Sequence, residues 1–342
     1  MTVSLRKLLK KPLRRIEFEV KSVIARVLQL LFRKVNPPIY LSFDSSKSVD
    51  GTGAQLQRQA TVMAVAKYFG FTYVPTEIKQ VSVHPLDPFQ SEPEYKNYLH
   101  RLNQFLKVDS PSFVRSLAPD VRLTSLTFLR LIRECIFQIL WRREKNFLIY
   151  EPYSVSEFCP GIMDDLQLQS SEYLESNKTP AAFEIVIHYR QGVGGFVLYP
   201  GQNIPREIPV EVFAARVGEI ALSLPEDLDT QIIVVTDAPD TETVFVPPAN
   251  QLALWEGTPG FSNGVMTIKP TKFEELEKLS KLPLKVLRGG NPLDTILLMA
   301  SADVLLTGKS SLSYLGGLLN SKGQVYFPKD FWHRPLRNWQ EL

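Results

Sequence analysis

Apolar and polar positions alternate along the chain with two different periods, which predicts a succession of strands and helices. Short apolar runs bounded by turn residues favour buried strands, and apolar residues three and four positions apart favour helices. In the first half, PIYLSF predicts a strand, AQLQRQATVMAVAKYFG a helix that ends at Gly70, and FTYVP the next strand. Strand–helix–strand units of this kind predict a parallel sheet covered by helices.

The middle of the chain has a weaker pattern. Residues 76–120 are polar and contain prolines, which predicts loops and short helices. LTSLTFLRLIRECIFQILWRREKN then predicts a long, largely buried helix, and NFLIYEP predicts a strand. The small and polar residues 174–182 separate two periodic regions and are the best candidate for a linker.

Alternation returns after this linker. The strands FEIVIHYR, QIIVVTD, DVLLTG and QVYFP are interleaved with the helices PVEVFAARVGEIALSL, FEELEKLSKL, PLDTILLMASA and SLSYLGGLLN. We therefore predict two α/β domains with parallel sheets, at residues 36–176 and 177–342, preceded by a separate helix within residues 1–35.

Length and composition indicate how many cores the chain can form and which compartment suits it. The 342 residues, 44% of them hydrophobic, are enough for two cores. The two cysteines and four scattered histidines form neither a disulfide framework nor a zinc-binding spacing. We expect a reducing compartment and no structural metal.

Charge is distributed unevenly. Residues 1–35 contain ten Lys and Arg residues against Glu17 and Glu19, whereas the rest of the chain contains 29 basic and 34 acidic residues. A body with a net negative charge argues against nucleic acid as a partner.

The basic amino-terminal segment also carries an apolar stripe. Its members follow helical spacing: Val20, Val23, Ile24, Val27, Leu28 and Leu31. Charges interrupt the stripe too often for a membrane span, and no signal-peptide pattern follows it. Two interpretations stay open: an interfacial helix on an anionic membrane surface, or a helix docked on the protein with a solvated basic face.

Three segments lie where strands are predicted to end and helices to begin. They are SVDGTGAQLQRQ with Gly51 and Gly53, HYRQGVGG with His188 and Arg190, and LLTGKSSLSYLGG with Ser310, Ser311 and Ser313. Ligands of open parallel sheets bind at this edge, so an arginine, hydroxyls and helix-terminal N–H groups together predict an anion site.

Each segment also has a structural interpretation. A single Gly-x-Gly turn often only lets the backbone bend, without binding a ligand. Serines before a helix often act as caps, and His188 could be a core histidine. TGKSS does not complete a phosphate loop, because position 303 is Asp where that motif requires Gly. Arg190 is the most informative residue, since a buried guanidinium needs an anionic partner.

The order of these segments resembles the superfamily of GDP-fucose-dependent fucosyltransferases, which includes α1,2-, α1,6- and protein O-fucosyltransferases. DGTGAQLQRQATVMAVAKYFG resembles its amino-terminal Gly-x-Gly-x-Gln motif, with Gly51, Gly53 and Gln55 at the matching positions. VIHYRQ resembles its His-x-Arg-Arg strand end, and NPLDTILLMASADVLLTGKSSLSYLGGLLNSKGQVYFPKDFW resembles its carboxy-terminal block. The resemblance implies a GT-B-like fold, with two Rossmann-like domains and an interdomain cleft.

The resemblance also implies roles for single residues. Arg190 matches the position that contacts the β-phosphate and stabilises the leaving group, and His188 and Asp294 match positions that read guanine and ribose. Ser310, Ser311 and Ser313 match the phosphate-facing helix start. The implied reaction is metal-independent transfer of fucose from GDP-fucose to a glycan acceptor. No cofactor is implied beyond that donor substrate.

One departure separates this chain from the family. Gln191 stands where the second arginine is usual, and restoring Arg there is expected to be tolerated by the fold. A catalytic base is not identified, with Asp50 and Asp237 as candidates. The alternatives are another nucleotide sugar, a non-catalytic glycan-binding or nucleotide-sugar-binding module, and a membrane scaffold that uses only the amino-terminal helix. A cytoplasmic enzyme at the inner face of a membrane suggests a lipid-linked or surface polysaccharide as acceptor.

Overall fold

The described residues form two compact α/β units. The computed structural model describes residues 20, 22–35, 38–47, 51–81, 91–105, 121–125, 127–141, 144–151, 182–191, 207–246, 260–329, 331, 333, 335–336 and 338–342. Unit 1 comprises the described residues from 20 to 151, and unit 2 those from 182 to 342. The predicted boundary between residues 176 and 177 and the linker up to residue 181 lie outside these ranges and stay predictions.

Unit 1 is built on a four-stranded parallel sheet. Its strands are β1 (Ile39–Phe43), β2 (Thr72–Tyr73), β3 (Val121–Ser125) and β4 (Lys145–Glu151), in the order β2-β1-β4-β3. Its helices are α1 (residues 22–35), α2 (Thr52–Phe69), α3 (Glu92–Phe105) and α4 (Phe128–Trp141), with a 3-10 turn at Ser45–Lys47. Helix α2 ends at Gly70, whose φ of 76° is the left-handed conformation that glycine adopts without steric penalty.

Unit 2 is built on a six-stranded parallel sheet with a small antiparallel one. The large sheet contains β5 (Phe183–Tyr189), β6 (Thr230–Thr236), β10 (Leu284–Arg288), β11 (Val304–Leu306), β12 (Gln324–Phe327) and β13 (Gln340–Glu341). The small sheet contains β7 (Thr243–Phe245), β8 (Phe261–Ser262) and β9 (Val265–Ile268), in the order β7-β9-β8. The helices are α5 (Val210–Ser223), α6 (Glu274–Ser280), α7 (Pro292–Ser301) and α8 (Ser311–Leu319).

Helices cover both faces of the large sheet. Helix α5 packs with α6, and α7 packs with α8. The chain crosses from β5 towards β10 and later from β11 towards β12, in opposite directions along the sheet. Right-handed crossovers in opposite directions place their helices on opposite faces. The α5 face is apolar at helical spacing, with Phe213, Val217 and Ile220 buried against Ile185 and Ile187 of β5. Burial of each such side chain contributes about 1.5–3 kcal/mol relative to exposure.

The predicted α/β class with two parallel sheets is confirmed, with four parallel strands in unit 1 and six in unit 2. Sequence reasoning missed β10, although Pro283 and Gly289 bound its LKVLR run, and it merged β3 into the following helix. It also missed the small antiparallel sheet and the full length of α3.

The prediction that the helix before β4 is largely buried is wrong. On α4 the side chains of Leu129, Leu140 and Trp141 are 78%, 66% and 55% exposed. Among the α4 side chains that the structure describes, only that of Glu134 is buried. The long apolar run therefore did not predict burial.

Helix α1 is docked on unit 1 through one face. Phe32 is fully buried, and its ring lies 6.0 Å from that of Phe69 and 5.5 Å from that of Phe71, centroid to centroid. Ala25 and Leu28 complete this face. Of the apolar stripe identified in the sequence, only Leu28 is buried, and the others are exposed.

Docking therefore uses a different face of α1 from the one that the stripe suggested. Within the described ranges, no helix combines the length and the hydropathy that crossing a membrane requires. Residues 1–19 lie outside those ranges.

Candidate functional site

The strand order of unit 2 creates a crevice at one point of its large sheet. The order β10-β6-β5-β11-β12-β13 means that the chain runs outward from β5 to β10, then returns to β11 on the other side of β5. In open parallel sheets, ligands bind outside the carboxyl ends of the strands at such a reversal. His188 and Arg190 lie at the end of β5, and Gly308 to Ser310 follow β11.

The two strand ends approach each other closely because position 308 is glycine. A Cβ there would lie 2.6 Å from the carbonyl oxygen of His188 and 3.3 Å from its Nδ1. The first distance is shorter than side chains tolerate, so any larger residue would push the β11–α8 loop away from β5. Gly308 thus allows the loop after β11 to approach the end of β5 closely.

His188 is a buried, neutral imidazole at this crevice. It is 5% exposed, and its Nδ1 has no hydrogen-bond partner among the described residues. Burial lowers its pKa to about 4, and the nearby Arg190 charge adds to this while Asp237 opposes it. At neutral pH, His188 therefore offers a polar nitrogen rather than a charge.

Arg190 supplies the charge. Its side chain is only 14% exposed, and its Nε lies 3.7 Å from Oδ2 of Asp237, which follows β6. The other carboxylate oxygen of Asp237 accepts a hydrogen bond of 2.9 Å from the backbone N–H of Gln191. Asp237 thereby orients Arg190, and this placement favours a positioning role over that of a catalytic base. The other candidate base, Asp50, lies outside the described residues.

Gln191, the position of the family departure, faces the protein. It is 8% exposed, and its Oε1 accepts a hydrogen bond from the hydroxyl of Thr271, which precedes α6. Glutamine at this position therefore ties the end of β5 to the loop before α6.

We expect Gln191→Arg to lower the free energy of unfolding by about 1–3 kcal/mol, because a larger charged side chain would enter a filled site. The structure thus predicts the opposite of the tolerance expected from the resemblance. Urea unfolding measures the change, with Gln231→Arg, at a partly exposed position of β6, as the control. An unfolding midpoint equal to that of wild type would show that the site around Gln191 can open.

The start of α8 lies beside this crevice, and its serines have different surroundings. Ser310 is the N-cap, and its hydroxyl accepts from the N–H of Leu312. Ser313 is fully buried, and its hydroxyl donates to the carbonyl oxygens of Gly308 and Ser310 at 2.9 and 3.1 Å. These two residues shape the loop, whereas Ser311 is partly exposed.

Ser311 lies next to a histidine that sequence reasoning did not select. Its Oγ is 3.3 Å from Nε2 of His333, and the His333 ring packs between those of Tyr314 and Phe331. His333 comes 22 residues later in the chain, so no local spacing linked it to the site. Only the aromatic cluster around it in FWH marked the position.

Asp294 lies in the first turn of α7, whose N-cap is Asn291. Its side chain is exposed at the edge of the sheet where β10 ends. A carboxylate in a first helical turn also stabilises the helix dipole. The placement is therefore compatible with a ligand contact and with a purely structural role, and the guanine-reading role stays a prediction.

The predicted donor-binding residues of unit 1 cluster at the start of α2. Gly51 is the N-cap residue of α2, and a glycine has no side chain that could cap the helix. Gly53 is buried. Gln55 is fully buried, and its Nε2 donates a hydrogen bond of 2.7 Å to the carbonyl oxygen of Gln80. Gln55 thus holds the loop after β2.

A second depression of unit 2 has a different electrostatic character. This cavity of about 650 Å³ lies on the α5–α6 face, where it is lined by Tyr189, Glu207, Glu211, Lys272 and Glu275 among others. Its three carboxylates against one lysine disfavour a phosphate ligand. The predicted anion site lies on the other side of β5, where His188 lies.

In the part of the chain that the structure describes, no group of three His, Cys, Asp or Glu residues could hold a metal ion. Arg190 carries a positive charge, and the N-terminus of α8 carries a partial positive charge.

No protein-family model matches this chain, and no curated protein matches it. Among solved structures, POFUT1 in complex with GDP is similar, with 11% identity, a TM-score of 0.40, and coverage of 84% of this chain and 97% of the other. The E. coli heptosyltransferase WaaC with ADP-2-deoxy-2-fluoro heptose has 10% identity, a TM-score of 0.35, and coverage of 89% and 92%. NodZ alpha-1,6-fucosyltransferase soaked with GDP-fucose has 13% identity, a TM-score of 0.30, and coverage of 83% and 92%. At such identities and TM-scores, we base function on the residues of the site itself.

Proposed function

We propose that this chain is a glycosyltransferase that uses a GDP-sugar, with GDP-fucose as the first candidate, and a glycan acceptor. One observation carries the proposal: the carboxyl end of β5 places Arg190 and the buried His188 at the strand-order reversal, beside the N-terminus of α8. A fixed guanidinium and helix-terminal N–H groups suit a diphosphate. The guanine base and the fucose come from the resemblance in the motifs.

In the proposed reaction, an acceptor hydroxyl oxygen attacks the anomeric carbon of the donor sugar. The bond between that carbon and the phosphate oxygen breaks, and its electron pair leaves with GDP. The hydroxyl proton passes to a base or to the departing phosphate. Negative charge on the β-phosphate grows along this path, so a preorganised Arg190 stabilises the transition state more than the ground state.

The surrounding residues support this role by fixing Arg190. Asp237 holds the guanidinium from one side and the backbone of Gln191 from the other. Arg288 donates hydrogen bonds of 2.9 and 3.1 Å to the carbonyl oxygens of Ala238 and Pro239, and so restrains the loop that carries Asp237. Such preorganisation avoids reorganisation energy during the reaction.

We further propose that the protein works at the cytoplasmic face of a membrane, as a peripheral protein. The basic segment 1–35 and the exposed apolar residues of α1 support attachment to anionic lipid. A membrane location favours a lipid-linked or surface glycan as acceptor.

A thermal-shift comparison of nucleotides tests the donor class. We expect GDP to raise the melting temperature more than UDP, CMP or ADP, because Asp294 can accept from the N1–H and the amino group of guanine. A ligand that binds only the folded state raises the free energy of unfolding, and the increase grows with the logarithm of the ratio of ligand concentration to Kd.

Asp294→Ala should remove the preference for GDP over ADP. Glu274→Ala, which removes another exposed first-turn carboxylate from α6, should keep it. Equal or larger stabilisation by UDP would contradict the guanine assignment, and no stabilisation by any nucleotide would contradict the glycosyltransferase proposal.

A further inference from the structure

Two helices of unit 1 expose large apolar side chains near their carboxyl ends. On α1 these are Val27, Leu30 and Leu31, and on α4 they are Phe137, Leu140 and Trp141. Leu30 is 70% exposed, and Leu140 is 66% exposed. We refer to these six residues as the apolar rim. Isolated exposed apolar residues are common, but a group of this size marks an interaction surface.

Topology places both parts of the rim at the same edge of the sheet. Three residues separate the end of α1 from the start of β1, and α4 ends at Trp141, shortly before β4 begins at Lys145. The Nζ of Lys145 lies 5.2 Å from the centre of the Phe137 ring, which fixes that end of α4 beside the start of β4. Because β1 and β4 are adjacent and parallel, both helices end at the amino edge of the sheet.

Basic residues predominate around the rim, although Glu144, directly before β4, is an exposed acidic residue. Arg26, Arg33 and Lys34 are exposed on α1, and residues 22–35 include no acidic residue. On α4, Arg133 has a side chain that is 70% exposed, whereas its neighbour Glu134 is only 12% exposed. Glu134 is also neutralised by ion pairs with Arg133 at 2.6 Å and Lys145 at 3.2 Å.

The sequence extends this charge on both sides. Residues 1–21 contain seven Lys and Arg residues against two glutamates, and Arg142 and Arg143 directly follow Trp141. Apolar side chains bordered by basic residues, with a tryptophan among them, match the interface of a bilayer that contains anionic lipid. Each basic residue near such a surface contributes about 1 kcal/mol.

We propose that the amino edge of unit 1 docks on an anionic phospholipid bilayer through α1 and α4 together. This deepens the proposed membrane attachment, which rested on residues 1–35 alone, by adding a second helix and an orientation. The carboxyl edge of the same sheet, where α2 begins, then points away from the bilayer, so membrane binding leaves that edge open.

Vesicle sedimentation with single substitutions on each helix tests the proposal. The probes are vesicles of phosphatidylglycerol and phosphatidylcholine, and vesicles of phosphatidylcholine alone. Leu30→Asp and Leu140→Asp should each weaken binding to the anionic vesicles by about tenfold or more. Each substitution removes apolar area that the bilayer would cover and adds a negative charge that anionic lipid repels. Leu222→Asp, at a 90% exposed leucine of α5 in unit 2, should bind as wild type.

Tryptophan fluorescence gives an independent measurement. Anionic vesicles should shift the emission of the wild-type protein to shorter wavelength, and Trp141→Phe should lose most of that shift. If Leu140→Asp and Trp141→Phe behave as wild type while Leu30→Asp does not, α1 attaches alone and the two-helix surface is wrong. If Leu140→Asp changes the sedimentation coefficient of the free protein but not vesicle binding, the rim is a contact between copies of the chain, which also overturns the proposal.

These outcomes are separable from those of the proposed function. All the variants lie outside the nucleotide site, so the melting-temperature shift caused by GDP should persist in each of them. A protein that binds GDP but not vesicles would overturn the membrane surface alone, and one that binds vesicles but no nucleotide would overturn the proposed enzyme alone.

Discussion

Arg190→Ala is expected to lower turnover of the GDP-sugar about a hundredfold or more while changing the melting temperature little. The substitution removes an interaction that strengthens as the bond between sugar and phosphate breaks, and loss of one such donor costs about 3 kcal/mol. Arg190 is partly exposed, and its described ionic partner Asp237 is 27% exposed, so that carboxylate can be solvated in the variant. Turnover and melting temperature should be measured on the same preparations.

One further substitution separates the charge of Arg190 from its hydrogen-bonding geometry, and another serves as a control. Arg190→Lys should restore only part of the turnover, because an ammonium retains the charge but lacks the bidentate fork of a guanidinium. Arg216→Ala, which removes an arginine paired with Glu219 on α5, should keep the wild-type turnover. Near-normal turnover in Arg190→Ala, or a loss that merely follows unfolding, would make Arg190 a structural residue.

Phe32→Ala should lower the free energy of unfolding of unit 1 by about 3–5 kcal/mol. The side chain is fully buried, and its ring contacts those of Phe69 and Phe71, so truncation leaves a cavity at the junction of α1, α2 and β2. Urea unfolding provides the measurement. Leu30→Ala on the exposed side of the same helix is the control, with an expected change within about 0.5 kcal/mol.

A Phe32→Ala variant as stable as wild type would mean that α1 is not part of the core of unit 1. If the expected loss occurs, removal of residues 1–35 damages the core as well as the basic surface. Point substitutions on the exposed side of α1 are then the cleaner way to study membrane binding.

The strands that were predicted correctly share a strong local signal. FEIVIHY, TQIIVVT and QVYF are apolar runs bounded by polar or turn residues, and parallel strands buried on both faces require such runs. The alternation with helices then leaves few possible topologies. Strand β10 has a weaker pattern, LKVLR, because it is an edge strand with exposed Lys285 and Arg288.

The packing faces of α1 and α4 could not be obtained from periodicity. Both helices carry apolar residues on more than one side, and the residue that anchors α1, Phe32, lay outside the stripe with the best helical spacing. Which face packs depends on the shape of the neighbouring sheet, which local sequence does not encode.

The candidate site residues also fall into those with a local sequence signal and those whose contacts depend on tertiary packing. The sequence predicted the positions of His188 and Arg190 at a strand end and of Ser310 at a helix start, because such ends have local signatures. The structure brings the ends of β5 and β11 together, and the ligand contacts of these residues stay predictions. The contacts of Gln191 with Thr271 and of Ser311 with His333 depend on tertiary packing. Gln191, which departs from the family pattern, is therefore a buried residue that links the end of β5 to the loop before α6.

Titration calorimetry of GDP and GMP against wild type and Arg190→Ala tests the central claim most directly. If the guanidinium binds the β-phosphate, wild type should bind GDP at least about tenfold more tightly than GMP, equivalent to 1.4 kcal/mol or more. Arg190→Ala should bind GMP almost as wild type does and lose most of the advantage of GDP. An unchanged ratio of the two dissociation constants in Arg190→Ala would contradict the assignment of Arg190 to the diphosphate.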